Sequence, residues 1–243
     1  MNQVPPPPPP PPPPGGAGGG YVGPTGGAGS ANPWDIGAAF NWAWEKFTKN
    51  WSPWVLAALA VMAAWIVAII IWIVLLAVVG GSSIGSLLVL GIGFAVFLVL
   101  SLGSGYPLIM GAIQQARGET PTVQSMFNFE AFGPYFITVL ALSVAVGIGF
   151  LLCVIPGIIV AFLFYFAPFF AADKKLGVGE TFKKSYELVT SNVGPVLLFI
   201  IVVALVNSVP SSVCFVLVLA SAPVSLLMTV HGYKKAIGES VAP

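Results

Sequence analysis

The stretch WVLAALAVMAAWIVAIIIWIVLLAVV, residues 54–79, runs for 26 positions without a charged side chain. A helix needs about 20 apolar residues to cross a hydrocarbon core of about 30 Å, so this run reads as a membrane-spanning helix. Leu87 to Met110 adds another 24 uncharged positions, and mean hydropathy over the chain is +0.96. A soluble globular domain does not have this composition. The sequence therefore predicts an all-α integral membrane protein. Its first apolar run begins past residue 50, behind a Pro/Gly-rich leader with no basic n-region, so it does not read as a cleavable signal peptide.

Working outward, four more apolar segments follow: Tyr135–Cys153, Pro156–Ala172, Pro195–Ser212 and Val213–His231. They hold 17–19 residues each, short enough to stand with little tilt or in thinned lipid. The expected total is six spans, with a re-entrant final pair as the alternative. The breaks GGSSIGS (80–86), VIPG (154–157) and SVPSS (208–212) carry no charge. All nine basic and all eight acidic residues fall in the other connecting segments and tails. The positive-inside rule then puts both termini and the two long loops in the cytoplasm of a multi-pass plasma-membrane protein. The outer turns are too short and too bare for an extracellular receptor or enzyme.

The charges are also clustered. Residues 179–195, GETFKKSYELVTSNVGP, hold four of the seventeen, Glu180, Lys183, Lys184 and Glu187. Shifted back by 142, the segment from Val178 to Pro195 falls on IGAAFNWAWEKFTKNWSP, residues 36–53. Phe182 then meets Phe40, Tyr186 meets Trp44, Glu187 meets Glu45 and Asn192 meets Asn50. Shifted back by 61, it falls on residues 117–134, where Gly118-Glu119-Thr120 and Gly133-Pro134 recur. In all three copies a Gly and a Pro stand sixteen apart. The chain thus reads as a threefold repeat, each unit an interfacial helix followed by a helical hairpin. The units run over about 33–110, 111–172 and 173–237.

Helical spacing supports this. Ile36, Phe40, Trp44, Phe47 and Trp51 recur at intervals of 4, 4, 3 and 4, as do Val178, Phe182, Tyr186, Val189 and Val193. Such helices are expected to lie in the headgroup plane, aromatic face toward lipid and charged face toward water. Pro53 and Pro195 fall near the first turn of the next span, where a missing N–H costs nothing. The middle copy departs from the pattern. There Thr120-Pro121 reads as a helix N-cap and first helical residue, and Val123, Met126, Phe127 and Phe132 do not keep the shared spacing. The plainer alternative is three unrelated amphipathic linkers.

The order IGAAFNWAWEKFTKNW, then GAIQQARGE, then FFAADKKLGVGETFKKSYELVTSN resembles a family of small six-span bacterial membrane proteins over about residues 33–237. A similar pattern occurs in the membrane domain appended to some glycerophosphodiester phosphodiesterases. The polyproline leader is similar to that of actinobacterial members, described as proline- and glycine-rich transmembrane proteins. The resemblance implies a multi-pass fold and brings no catalytic residues, because the phosphodiesterase's soluble barrel with its metal-binding acids is absent.

Residues 5–14 are ten consecutive prolines. Such a run is expected to form a polyproline II rod of about 31 Å. A glycine-rich tether containing Tyr21 follows, which completes an expected disordered cytoplasmic tail over residues 1–32. The rod from Pro5 to Pro14 is either simple disordered leader or a docking element for a polyproline-binding protein.

No nucleophile–base pair, P-loop or zinc motif is present, so no catalytic, cofactor or metal site is expected and an enzyme is not. Cys153 and Cys214 read as apolar-surrounded thiols, with an outer-face disulfide as the alternative. His231, the lone histidine, reads as an interfacial residue at the inner end of the last span. Span interiors lack Asp, Glu, Lys and Arg, which argues against an ion-coupled transporter. Asn207 is the most polar intramembrane candidate. Ser101, Ser104, Tyr106, Ser143 and Tyr165 read as interhelical hydrogen-bonding residues, with Ser143 and Gly147 allowing close packing. The net charge of +1 offers nothing to nucleic acid.

Two function classes remain. One is a non-catalytic scaffold or accessory subunit of a membrane complex, organising partners or lipid at the inner leaflet. Its contacts would be Phe40, Trp44, Phe182 and Tyr186 with membrane lipids or neighbouring subunits, and the proline rod with a soluble partner. The other is a small transporter, channel or lipid-handling protein with a path between the hairpins, which Asn207 would line.

Overall fold

A computed structural model describes residues 32–79 and 83–243. Pro5, Pro14, Tyr21 and nearly all of the expected disordered tail lie outside the described residues, as does the turn at 80–82. The described residues are helical, with no strand among them. Five stretches are long and apolar enough to cross a membrane by length and composition: Trp51–Val79, Ile84–Ala116, Val123–Leu152, Val154–Lys174 and Val193–Val213. The chain is a helical membrane protein.

The first interfacial segment forms α1 (Ile36–Lys49), opened by Asp35, whose Oδ1 accepts the Ala38 N–H at 2.9 Å. Its last turn carries Lys46 and Lys49, which favour the negative end of the helix dipole. The long apolar run then forms α2 (Trp51–Val79). The second run breaks into α3 (Ser83–Gly103) and α4 (Tyr106–Ala116), with Pro107 in the first turn after the break. Next come α5 (Val123–Met126), a 3-10 turn at Phe129–Ala131, and α6 (Phe132–Leu152). The cap of α5 is Thr122, not Thr120: its Oγ1 accepts the Ser125 N–H while Ser125 Oγ accepts the Thr122 N–H. That reciprocal pair needs Ser at the third helical position, which Thr120 does not have.

The fourth stretch is likewise two helices, α7 (Val154–Leu163) and α8 (Ala167–Lys174), again with a proline, Pro168, just past the break. The break expected at VIPG falls one residue earlier, at the extended Cys153, and VIPG itself forms the first turn of α7, where a proline loses no hydrogen bond. The last elements are α9 (Val178–Ser191), α10 (Val193–Val213), a 3-10 turn at Phe215–Leu217 and α11 (Val218–Ala236). SVPSS, expected as a break, lies inside α10 with Pro210 in the helix interior. Serine hydroxyls help hold the helix there: Ser211 Oγ donates to the Asn207 and Ser208 carbonyls, both at 2.9 Å.

Helices α1 and α9 are both 14 residues long, and both ends differ by the same 142 positions. Each is closed by an asparagine whose N–H turns back, Asn50 to Phe47 O and Asn192 to Val189 O. The matching middle segment holds only α5 and the 3-10 turn. Packing corrects the expected orientation of both long amphipathic helices. The face of α1 against the protein is Ala39, Ala43 and Phe47, docked on α11. The equivalent face of α9 is Thr181, Ser185 and Val189, docked on α8 and α7. Phe47 and Val189, assigned above to the lipid-facing stripe, are thus buried in protein. Phe40, Trp44 and Trp51 remain exposed, one arc further around the helix. Small side chains at 39, 43, 181 and 185 let the helices approach closely.

The buried core sits at the charged end. Helices α4, α8 and the second half of α11 are almost wholly buried, whereas α2 contributes only Trp54 and Ala57, from its first two turns. The far halves of α2, α3, α6 and α7 present Leu, Ile, Val and Phe outward. One close contact there is α6 on α7, where a Cβ on Gly149 would lie 2.7 Å from the Gly157 Cα.

Candidate functional site

The helices α4, α8 and α11 end together, and their ends meet on Asp173. Its side chain is fully excluded from solvent. Arg117, at the end of α4, donates from Nη2 to Asp173 Oδ1 at 2.6 Å. Lys234, in the last turn of α11, donates to Asp173 Oδ2 at 2.7 Å, and the Tyr233 hydroxyl donates to the same oxygen at 3.2 Å. Lys174 lies 3.4 Å from that oxygen. Lys234 is itself buried and also donates to Glu239 Oε2 at 2.7 Å, while Lys174 donates to Glu239 Oε1. An isolated charge in this position costs several kcal/mol, so each buried charge is matched. The three helix C-termini are negative dipole ends, which explains why cations gather there.

The turn past each helix is shaped alike. Gly118 (φ 85°) follows α4 and Gly238 (φ 79°) follows α11, both in the left-handed region that favours glycine. In each case the next residue's N–H reaches back, Glu119 to Gln114 O and Glu239 to Lys234 O, both at 2.9 Å. This turn brings the Glu239 carboxylate back over Lys234. Burial pushes the Glu239 carboxyl up, but the hydrogen bonds from Lys174 and Lys234 outweigh it and hold the group below the usual glutamate range.

Around this hub, buried polar side chains tie the amphipathic segments to it. Gln115 donates to the Lys46 carbonyl at 3.1 Å and accepts from the Trp54 indole at 3.3 Å, joining α4 to α1 and α2. Gln114 donates to the Ser125 carbonyl at 3.0 Å and accepts from its hydroxyl at 2.9 Å, joining α4 to α5. The break between α7 and α8 is bridged by Ser185, which donates to Leu163 O at 3.0 Å and accepts from Phe166 N at 3.2 Å. Tyr106, at the α3–α4 break, donates to Asn128 O and accepts the Ala131 N–H. None of these residues was singled out by motif, apart from Tyr106 as a mild polar candidate. The signals were Tyr-Pro at 106–107 and Ala-Pro at 167–168, since proline is favoured in the first turn of a helix, where its missing N–H costs nothing.

The sequence-derived candidates are dispersed. Phe40 and Trp44 are exposed and stacked, ring centroids 6.3 Å apart. Tyr186 is exposed, and Phe182 is half-buried against Phe164 at 4.8 Å. Asn207 is exposed on α10, six residues before its end. Cys153 and Cys214 are free, exposed thiols. His231 is a correction: it is 3% exposed, packed on the Trp42 ring at 5.4 Å in the contact between α1 and α11. Between α2 and α3 runs an apolar groove of about 870 Å³, lined among others by Trp65, Trp72, Phe94 and Phe97. No ionisable side chain lines it. Among the described residues no three His, Cys, Asp or Glu side chains gather as metal ligands. The arrangement at Asp173 binds helix ends to one another, with both carboxylates of the hub already engaged.

No protein-family profile matches the chain, and no solved structure matches it. The chain is 32% identical over 237 aligned residues to the uncharacterized protein Rv2560 of Mycobacterium tuberculosis, covering 85% of this chain and 70% of that one. Identity and coverage are the same for the uncharacterized proteins Mb2590 of Mycobacterium bovis and MT2637 of a second M. tuberculosis strain. At that identity and coverage, this chain belongs to the same family as these mycobacterial proteins.

Proposed function

We propose that the chain is a non-catalytic scaffold or accessory subunit of the plasma membrane, built as three hairpins joined at their cytoplasmic end. The observation that carries this reading is the hub on Asp173. Three helices end on one buried carboxylate, so the charged end is fixed while the outer halves of the spans stay bare for lipid or neighbouring subunits. The proposed architecture has six crossings, with α11 as the sixth beside the five long apolar stretches. Helix α10 runs away from the charged end, and α11 returns to it, because Lys234 near its far end pairs with Asp173. At about 1.5 Å per residue, the 19 residues of α11 cover about 28 Å. All charges then lie on one side, which the positive-inside rule makes cytoplasmic. The exposed Phe40, Trp44 and Tyr186 suit the headgroup layer, and the run of ten prolines suits capture of a soluble partner near the membrane.

The transporter reading has one favourable observation, the interruption of two spans at 104–105 and 164–166. Interrupted helices build substrate sites when their freed backbone groups face a cavity. Here Ser185 takes up groups freed at the second break, and Tyr106 at the first is committed to Asn128 and Ala131. Reconstitution in liposomes separates the two. The scaffold predicts no specific flux of ions, amino acids or phospholipids; flux lost in Asn207→Leu with the fold intact contradicts it.

A further inference from the structure

We propose that the outer part of α10 is a pairing surface for a second copy of this chain, joined through Asn207 of each copy. The inference rests on α10 lying in the membrane and goes beyond the scaffold reading. Asn207 stands 14 residues past Val193 and six before Val213, about 21 Å and 9 Å along the helix. That depth is hydrocarbon. Two nearby hydroxyls satisfy themselves on their own helix: Ser211 bonds the Asn207 and Ser208 carbonyls, and Ser212 bonds Val209 O at 2.8 Å. The backbone carbonyl of Asn207 also accepts from Ser221 of α11 at 3.2 Å. Its side-chain amide has no partner among the described residues and lies exposed.

An amide facing lipid leaves donors and an acceptor unsatisfied where no water replaces them. Lipid tails offer neither donor nor acceptor. The group that answers both at once is another amide, because each carries N–H donors and a carbonyl acceptor. A twofold axis beside α10 brings the same residue of a second copy opposite, each donating to the other in an isologous contact. Ala204 and Ser208, both exposed next to Asn207, are small enough for the two helices to approach to hydrogen-bonding range.

The test is the mass of the full-length protein in mild detergent, by light scattering and native mass spectrometry. Wild type is expected as a dimer. Asn207→Leu should weaken pairing about tenfold, while Asn207→Gln, which keeps the amide, should not. Unchanged circular dichroism in Asn207→Leu shows that the fold is kept. In native membranes treated with copper phenanthroline as oxidant, Ala204→Cys in a background lacking Cys153 and Cys214 should form an intermolecular disulfide, and adding Asn207→Leu should reduce it. A monomer that also fails to cross-link, or a dimer indifferent to Asn207→Leu, overturns the proposal. Mass reads pairing whether or not the liposomes show flux, so the two readings fail separately.

Discussion

Lys234 of α11 and Asp173 of α8 pair at 2.7 Å with side chains 3% and 0% exposed, a buried ion pair between residues 61 apart in the chain. The same carboxylate holds Arg117 of α4. Removing it leaves Lys234 buried with Glu239 alone. Asp173→Ala is therefore expected to cost about 3–5 kcal/mol, read as a large drop in melting temperature in detergent. Glu45→Ala, which removes only an exposed pair with Lys49, should change it little.

Acid should act on the same hub through Glu239. Its carboxyl is held below the usual value of 4.5, so the unfolded chain takes up a proton more readily than the folded one. The stabilisation is full above 4.5 and is lost as pH falls through the lower folded value. Melting temperatures of wild type and Glu239→Gln should converge on acidification below 4.5. A gap that stays constant would remove Glu239 from the account.

Ser185 bridges the two sides of the α7–α8 break. Ser185→Ala strands the Leu163 carbonyl and the Phe166 N–H, at a cost of about 1–3 kcal/mol. Ser191→Ala, which removes an exposed hydroxyl that donates to Leu188 O and accepts from the Asn192 amide, serves as the control and should be near neutral. Equal stability of the two variants would show that the break is satisfied some other way.

The two apolar arcs of α1 should respond differently. Ala43 is fully buried against α11, so Ala43→Leu overpacks the contact and should cost about 1–3 kcal/mol. Trp44 is half exposed, so Trp44→Ala should leave thermal stability nearly unchanged while lowering the share of tryptophan emission that headgroup-depth quenchers remove. A stability loss in Trp44→Ala equal to that in Ala43→Leu would mean that the aromatic arc also packs on protein.

What could be read from the sequence follows from the range of each signal. Long uncharged runs located the apolar helices, and 4-4-3-4 spacing located α1 and α9. Periodicity shows that a helix has an apolar side but not which arc meets protein and which meets lipid, so the Ala39–Ala43 face was missed beside the larger Phe40 and Trp44. The hub was out of reach because Arg117, Asp173 and Lys234 are 56 and 61 positions apart and only helix packing brings them together. His231 looked interfacial because nothing local to it shows that Trp42 covers its ring. SVPSS looked like a turn by composition, whereas serine hydroxyls bonded to the preceding turn let the helix run through it.

The return of α11 to the charged end is the claim on which the hairpin architecture depends. In a background without Cys153 and Cys214, single cysteines at Ser212, Lys184 and Ser240 can be probed in intact cells with an impermeant thiol reagent. All three positions are exposed. The account predicts labelling at 212 from outside, and at 184 and 240 only after permeabilisation. Labelling of Ser240→Cys in intact cells, with Lys184→Cys still protected, would put the two ends of the α10–α11 hairpin on opposite sides of the membrane and contradict it.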